Sequence, residues 1–290
     1  MRSIVTALLL ISSFHAKAAF FATYGEDNRR DVNKETDPKL LELSRSVVAM
    51  VDKKHLKLIG SEDGKFLDDY STRYNMCEGE AFRDQVRLAT CSGVLIAPDK
   101  ILTANHCVTN ELDCKDQRFV FDLKLEKDPK KIKIKRKNIY SCKAIEKFSS
   151  HNAYDYSIIL LDRKVKGRKP VTIARETLEI KKDELAVIGH PMGLPMKISD
   201  SGFVWDYFKN GYSTNLDTYS GNSGSPVFKK STGEMIGHIA AGKTDFVLDR
   251  ENNCLKSNKC DDDGSNCDIT EFHMEYVIEA KHLPNFSSNR

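Results

Sequence analysis

The 290-residue sequence predicts an all-β protein, built either as a sandwich or as barrels. Short apolar or alternating runs of strand length recur at regular spacing along most of the chain, and few windows show a helical period. The one clear helical pattern lies near the end, at residues 270–281. There Phe272, Tyr276, Val277 and Ala280 fall on one stripe. We therefore expect strands almost throughout and one short C-terminal helix.

Residues 1–18 have the features of a secretory signal peptide. Arg2 supplies a positive start, residues 4–11 are apolar but too short to span a membrane, and Ala16-Lys17-Ala18 is a small-residue cleavage site. We expect cleavage after Ala18, a secreted or periplasmic protein, and no stable association with a membrane.

Residues 19–45 form a separate N-terminal segment. Its first stretch, to about Asp37, is polar and has no hydrophobic periodicity. It is either an arm that lies on the folded domain or a pro-segment that is removed. We favour the arm.

The predicted strands follow from residue 46. In the basic run at residues 130–137, lysines alternate with Ile132 and Ile134. This pattern is typical of an edge strand with one solvent-exposed face rather than of a membrane-binding or nucleic-acid-binding patch. The net charge of +3 gives no other reason to expect a nucleic-acid partner. The strand-like runs are Val47–Val51, Val86–Cys91, Ile101–Thr103, Phe119–Phe121, Leu185–Gly189, Phe203–Trp205, Tyr212–Leu216, Pro226–Phe228 and Met235–Gly242.

All eight cysteines lie downstream of residue 18, and an even number suits an oxidising compartment. No Cys-x-x-Cys pair is present, which argues against zinc. The acidic stretch 261–266 resembles a calcium loop only incompletely, because Lys259 stands where the first carboxylate ligand is needed. A disulfide-closed acidic loop is the preferred interpretation, and we expect neither a metal nor another cofactor.

Three short motifs carry chemistry. Ser223 lies between Gly221 and Gly224, which suits a sharp turn whose Gly221 and Ser223 amides point at a developing oxyanion. A serine hydroxyl needs an adjacent base, which His106 can supply, and Asp155 can hold the imidazole in the useful tautomer. The chain order His, Asp, Ser differs from that of subtilisins and of α/β-hydrolases.

With these motifs the chain resembles the chymotrypsin-like serine peptidases, in particular their bacterial trypsin-like and glutamyl-endopeptidase-like branch. The resemblance implies two antiparallel β-barrels, expected at residues 46–165 and 170–290, with the site in the cleft between them. His106 and Asp155 would come from the first barrel and Ser223 from the second. The matching segments are Cys91–Cys107, Asp155–Leu160, Gly189–Pro195 and Asn215–Val227.

The resemblance also bears on the cysteines. It implies a Cys91–Cys107 bridge, which would fix His106, and we expect Cys114 to pair with Cys142. The other four stay open. They are Cys77, Cys254, Cys260 and Cys267. Two of the last three are expected to pair with each other and close a loop, while the third could pair with Cys77.

Two residues compete to set the specificity for the substrate residue before the scissile bond (P1). Asp217 lies six residues before Ser223, where trypsin-like members carry the carboxylate at the pocket floor, so the resemblance favours Lys or Arg at P1. His238 stands just before the wall that contains Ala240, near where glutamate-specific members carry a pocket histidine. An acidic P1 residue is the alternative.

Two departures from the animal members matter. Asn222 replaces the aspartate that pairs with a new N-terminal amine in trypsin-like zymogens, which puts activation by that ion pair in doubt. Tyr219 replaces a cysteine of the pocket disulfide.

Taken together, the sequence predicts a secreted, monomeric serine endopeptidase acting on a protein or peptide. A catalytically silent binding protein on the same fold and an esterase with the same triad are the alternatives.

Overall fold

The structure is a computed structural model that describes residues 22–59, 63–66, 74–125, 132, 134–149, 154–242, 244–268 and 274–284. The expected signal peptide therefore lies outside the described residues. Strands dominate these ranges, and the α-helices within them, α1 (Pro38–Ser44) and α2 (Glu111–Asp116), are short. The strands are β1 (Thr23–Tyr24), β2 (Arg30–Asp31), β3 (Val47–Asp52), β4 (Leu56–Ile59), β5 (Asp63–Phe66), β6 (Cys91–Ala97), β7 (Lys100–Thr103), β8 (Gln117–Phe121), β9 (Ile134–Lys135), β10 (Ile139–Ser149), β11 (Tyr156–Leu161), β12 (Glu184–Gly189), β13 (Lys197–Phe208), β14 (Gly211–Thr214), β15 (Pro226–Lys229), β16 (Met235–Ala241), β17 (Phe246–Asp249), β18 (Cys254–Ser257), β19 (Lys259–Cys260) and β20 (Glu275–Glu279).

Six antiparallel strands close the first barrel in the order β10-β11-β7-β6-β3-β8. Side chains alternate along β3 because successive residues of a strand point to opposite faces. Val48 and Met50 face the barrel interior, while Ala49 and Val51 pack against Leu88 and its neighbours outside it. Both faces of β3 are therefore buried, which explains its continuous apolar run.

The second barrel closes in the order β12-β15-β16-β20-β14-β13, because β13 also pairs with β12. All of these pairings are antiparallel. An apolar cluster joins the two barrels. Val47, Val94 and Leu102 of the first meet Ile188 and Phe228 of the second. The predicted double barrel of the chymotrypsin type is confirmed.

The predicted C-terminal helix at residues 270–281 is wrong. Glu275–Glu279 is strand β20, and Ala280–His282 is one turn of 3-10 helix, while residues 269–273 lie outside the described residues. β20 pairs with both β14 and β16 and completes the second barrel. Its buried Val277 and more exposed Tyr276 also fit a period of two, and pairing with distant strands outweighs the local helical pattern.

The segment from residue 22 to the start of β3 lies against the second barrel. β1 runs parallel to β19, and β2 pairs with the edge of β13. Asp37 caps α1 by accepting a hydrogen bond from the Lys39 amide, at 2.8 Å. We call residues 22–45 the arm.

Four disulfides cross-link the fold. Both expected bridges, Cys91–Cys107 and Cys114–Cys142, are present. The cysteines left open in the sequence pair as Cys77–Cys254 and Cys260–Cys267. The Cys260–Cys267 bridge closes the acidic stretch 261–266, so the preferred interpretation of this stretch as a disulfide-closed loop is confirmed.

Candidate active site

His106 lies on a turn of 3-10 helix, Asn105–Cys107, directly after β7. The Asn105 amide donates to the Asp155 carbonyl at 3.1 Å, and the Cys107 disulfide ties the turn to the start of β6. The turn is thus held from both sides. The imidazole remains accessible, because 40% of the His106 side chain is exposed.

Asp155 immediately precedes β11 and holds His106 through both carboxylate oxygens. Oδ2 lies 2.8 Å from His106 Nδ1, and Oδ1 accepts from the His106 amide at 3.1 Å. Burial acts to raise the pKa of the Asp155 carboxyl, but the hydrogen bond and charge of His106 outweigh it and leave the pKa lowered. An ionised carboxylate at Nδ1 favours the tautomer with the proton on Nδ1. Nε2 is then free to accept a proton.

Ser223 lies on a turn between two glycines with positive φ, Gly221 at +98° and Gly224 at +82°. A side chain at Gly224 would also place its Cβ 2.3 Å from the Ser92 carbonyl oxygen. Glycine is therefore required at position 224 on two grounds, backbone conformation and space.

The Ser223 turn packs directly on the His106 turn. The Ser92 amide donates to the Ser223 carbonyl at 2.9 Å, and Cys107 Sγ lies 3.9 Å from that same oxygen. Among the described residues no hydrogen bond joins the Ser223 hydroxyl to His106. Such bonds are often long without substrate and shorten in the Michaelis complex.

Within the ranges that the structure describes, the amides of Gly221 and Ser223 have no hydrogen-bond acceptor. The carbonyls on the other side of these two peptide planes are bound. The Ser220 carbonyl accepts from the Met192 amide, and the Asn222 carbonyl accepts from the Ser225 amide at 2.7 Å. C=O and N–H of a trans peptide point in opposite directions, so the Gly221 N–H points away from Met192 and the Ser223 N–H points away from the Ser225 amide.

Asp217 is buried, with 1% of its surface exposed, and its carboxylate is bound by the arm. The Tyr24 amide donates to Oδ1 at 2.7 Å, and the Asn28 amide donates to Oδ2 at 2.9 Å. Burial raises the pKa of Asp217 to about 7, against the opposing effect of these donors and of the Arg29 charge. Burial thus disfavours the ionised form of this carboxyl, while the two amides and Arg29 favour it.

The arm also reaches Tyr219. The Arg29 guanidinium stands 3.8 Å from the centre of the Tyr219 ring and is paired with Asp27. The Tyr219 hydroxyl donates to Ser257 Oγ at 2.6 Å. Tyr219 therefore connects the arm to β18.

His238 lies on β16 behind the Asp155 main chain. Its Nε2 is 3.1 Å from the Asp155 carbonyl oxygen, and its Nδ1 has no hydrogen-bond partner among the described residues. Burial lowers the pKa of His238, so the ring is neutral at pH 7. Ala240, two residues further along the same strand, is buried as well.

Sequence reasoning missed three groups at or beside these residues: the Ser92 hydroxyl, the Arg29 guanidinium, and the Glu275 carboxylate that binds the neighbour of Asp217. Glu275 accepts hydrogen bonds from the Thr218 hydroxyl and from the Ala22 amide. No local pattern marks any of them, because each contact joins segments far apart in the chain.

A family model of the trypsin-like peptidase domain matches residues 91–237, slightly more than half of the chain. The chain belongs to the trypsin-like peptidase family. No curated protein matches this trypsin-like peptidase.

Solved structures resemble the trypsin-like peptidase at low identity. A Glu endopeptidase in complex with MPD has a TM-score of 0.51 at 15% identity, over 90% of this chain and 94% of that one. The serine-to-alanine mutant of Rv3671c from M. tuberculosis H37Rv, in an inactive form, has a TM-score of 0.49 at 13% identity, over 90% and 91%. At such identities the likeness to the Glu endopeptidase supports the fold alone.

The trypsin-like peptidase domain supports serine peptidase activity on a peptide substrate. The four disulfides are compatible with a protein that works outside the cytoplasm. No helix in the described ranges is long and apolar enough to cross a membrane.

Proposed function

We propose that the protein is a secreted serine endopeptidase that hydrolyses peptide bonds through Ser223, His106 and Asp155. The contact that carries the proposal is the pair of bonds from Asp155 to His106, at 2.8 and 3.1 Å, beside the glycine-flanked Ser223 turn. A buried, ionised carboxylate behind a half-exposed imidazole is the arrangement that general-base activation of a hydroxyl requires.

In the first half of the reaction Ser223 Oγ attacks the scissile carbonyl carbon and His106 Nε2 takes the hydroxyl proton. The carbonyl oxygen becomes an oxyanion, which the Gly221 and Ser223 amides stabilise. The C–N bond then breaks, and His106 returns the proton to the leaving amine. An acyl-enzyme ester on Ser223 remains.

In the second half a water molecule replaces the amine. His106 accepts a proton from this water, whose oxygen attacks the ester carbon. The bond to Ser223 Oγ breaks, the serine recovers its proton from His106, and the carboxylic acid product leaves. Asp155 stays ionised throughout and stabilises the imidazolium that forms twice in each cycle.

A basic P1 residue is the finer element of the proposal. An ionised carboxylate has about four acceptor sites, so the two arm amides do not saturate Asp217. Because only 1% of this residue is exposed, a substrate cation must displace the residues that cover it in order to bind there. A substrate Lys or Arg would favour the ionised form of this carboxyl, whose pKa burial raises to about 7. The alternative is a glutamate-specific enzyme, in which the substrate carboxylate must favour protonation of His238 against the burial that keeps this ring neutral.

Export completes the proposal. Residues 1–18 direct the chain across the membrane and are removed after Ala18, the arm is retained, and the enzyme acts as a monomer. The four disulfides support an oxidising compartment. Amino-terminal sequencing of the exported protein should begin at Ala19.

Cleavage of a peptide library tests the activity and the specificity together. We expect cleavage after Lys or Arg, its loss in Ser223→Ala, and its retention in the matched control Ser220→Ala, which removes a serine hydroxyl from the same turn. Asp217→Ala should lose the preference for Lys and Arg. Cleavage after Glu, lost in Ser223→Ala, would support the alternative specificity.

Two outcomes would contradict the endopeptidase. Cleavage that persists in Ser223→Ala would exclude Ser223 as the nucleophile. Hydrolysis of simple esters without cleavage of any peptide would indicate an esterase, and inactivity towards both would favour a binding protein on the same fold.

A further inference from the structure

Ser92 connects the nucleophile turn to the first barrel and to a neighbouring loop. It lies on β6 directly after the disulfide-bonded Cys91 and is fully buried. Its hydroxyl donates to the Gly221 carbonyl at 2.8 Å and accepts from the His190 amide at 3.0 Å. One hydroxyl therefore uses both its donor and an acceptor site on two loops of the second barrel.

The main chain of Ser92 contacts the same turn. Its amide donates to the Ser223 carbonyl at 2.9 Å, and its carbonyl accepts from the Thr103 hydroxyl at 2.7 Å. The carbonyls of Gly221 and of Ser223 are thus both bound by Ser92. These two residues carry the amides that face the developing oxyanion.

The His190 loop acts on the same glycine from the other side. Two residues beyond His190, the Met192 amide binds the Ser220 carbonyl and so orients the peptide plane that carries the Gly221 N–H. A Cβ on Gly221 would lie 2.6 Å from the His190 carbonyl oxygen, so loop and turn are in close contact.

Gly221 needs such clamps because glycine itself imposes little conformational preference. At φ +98° it occupies a conformation that only glycine adopts readily, and the peptide planes on either side can rotate at low cost. The Ser92 hydroxyl fixes the plane after Gly221, and through His190 it holds the loop that fixes the plane before it.

We propose that Ser92 is a positioning residue for the oxyanion site. It does not touch the substrate but acts through the Gly221 and His190 main chains to keep the Gly221 N–H directed at the oxyanion. The inference rests on the proposed endopeptidase function. It predicts that loss of the hydroxyl weakens stabilisation of the tetrahedral intermediate and leaves ground-state binding of the peptide nearly unchanged.

The test compares Ser92→Ala with the matched control Ser46→Ala in the full-length mature enzyme. Ser46 is a buried serine of the first barrel whose hydroxyl donates to the Lys169 carbonyl at 2.6 Å, so its loss also removes one buried side-chain hydrogen bond. Removing an oxyanion donor lowers kcat about 100- to 1000-fold, and we expect roughly 10- to 100-fold for a donor that is misdirected. KM should change less than about threefold.

A peptidyl boronic acid, which forms a tetrahedral adduct on the serine, supplies a second readout. Its affinity should fall in parallel with kcat/KM in Ser92→Ala and stay at the wild-type value in Ser46→Ala. Ser92→Thr and Ser92→Val form an isosteric pair that shares any effect of the extra methyl group. Thr should retain more of kcat than Val by about tenfold, since only Thr keeps the hydroxyl.

The outcomes separate the two claims. An active wild type whose kcat and boronate affinity survive in Ser92→Ala, or whose Thr and Val variants are equally active, would overturn the role of Ser92 alone. A rise in KM at constant kcat would overturn it too, because that points to substrate binding. A wild type that neither cleaves peptides nor binds the boronate would overturn the endopeptidase function together with this inference.

Discussion

At the scale of single residues, the arrangement around His106 depends on the protonation of buried groups. Asp155 keeps a lowered pKa because His106 binds it, whereas His190 and His238 are neutral because burial disfavours their charged forms. Of these three histidines, the exposed His106 is the one expected to move protons. The buried His190 and His238 instead make the fold sensitive to acid.

His190 should lower the stability of the protein at acid pH. Burial lowers its pKa to about 4, while a histidine in the unfolded chain titrates near its ordinary value of 6.5. As pH falls from about 6.5 to 4 the unfolded state binds a proton that the folded state does not, so stability decreases. The 2.5-unit difference corresponds to about 3 kcal/mol. Urea unfolding of wild type and His190→Gln at pH 7 and pH 4.5 measures this loss.

The glutamine variant should lose about 2 kcal/mol less than wild type between these two pH values, because it has no proton to bind. An equal loss in both proteins would show that other groups, and not His190, set the acid sensitivity.

At the scale of elements, the arm is the segment whose role is hardest to infer from its composition. Its polar residues make it look dispensable, yet several of them have partners on the second barrel. Asp31 of β2 pairs with Lys197 of β13 at 2.6 Å, with about 3% and 2% of the two side chains exposed. Lys197 also donates to Gln85 and to the Pro195 carbonyl. Removing the arm would leave this ammonium group buried without its carboxylate.

Asp31→Ala should therefore destabilise the protein by about 3–5 kcal/mol, the usual cost of removing one partner of a buried ion pair. The control is Asp37→Ala, which removes the α1 cap on the exposed side of the same arm and should cost about 1 kcal/mol. Urea denaturation measures both free energies of unfolding. Equal small effects would indicate that the ion pair does not hold the arm, and a mature chain beginning beyond Asp31 would show that the arm is removed.

At the scale of the whole molecule, the candidate site exists only where the two barrels meet. His106 and Asp155 belong to the first barrel and Ser223 to the second. Connections that cross between the barrels include the Ser92 bonds to the nucleophile turn, the bonds from the Leu88 and Ala89 amides to the Gly193 carbonyl, and the apolar interface around Phe228.

Local pattern was enough to predict much of this molecule. Alternation located most of the barrel strands, because strand faces have local signatures. The three motifs singled out His106, Asp155 and Ser223 as the candidate catalytic residues, because glycine turns are also visible in the sequence. β20 was mistaken for a helix, since its place is set by pairing with β14 and β16. The hydrogen bonds between the arm and Asp217 could not be predicted from local pattern either, because they join residues almost 200 positions apart.

Labelling of the mature protein by a fluorophosphonate, with the modified residue located by mass spectrometry, tests most directly whether Ser223 is an activated nucleophile. A serine becomes phosphonylated only when a base activates its hydroxyl and donors stabilise the oxyanion. We predict a single adduct on Ser223, lost in His106→Ala and slowed in Asp155→Asn. No adduct, or an adduct elsewhere that persists in His106→Ala, would contradict the account.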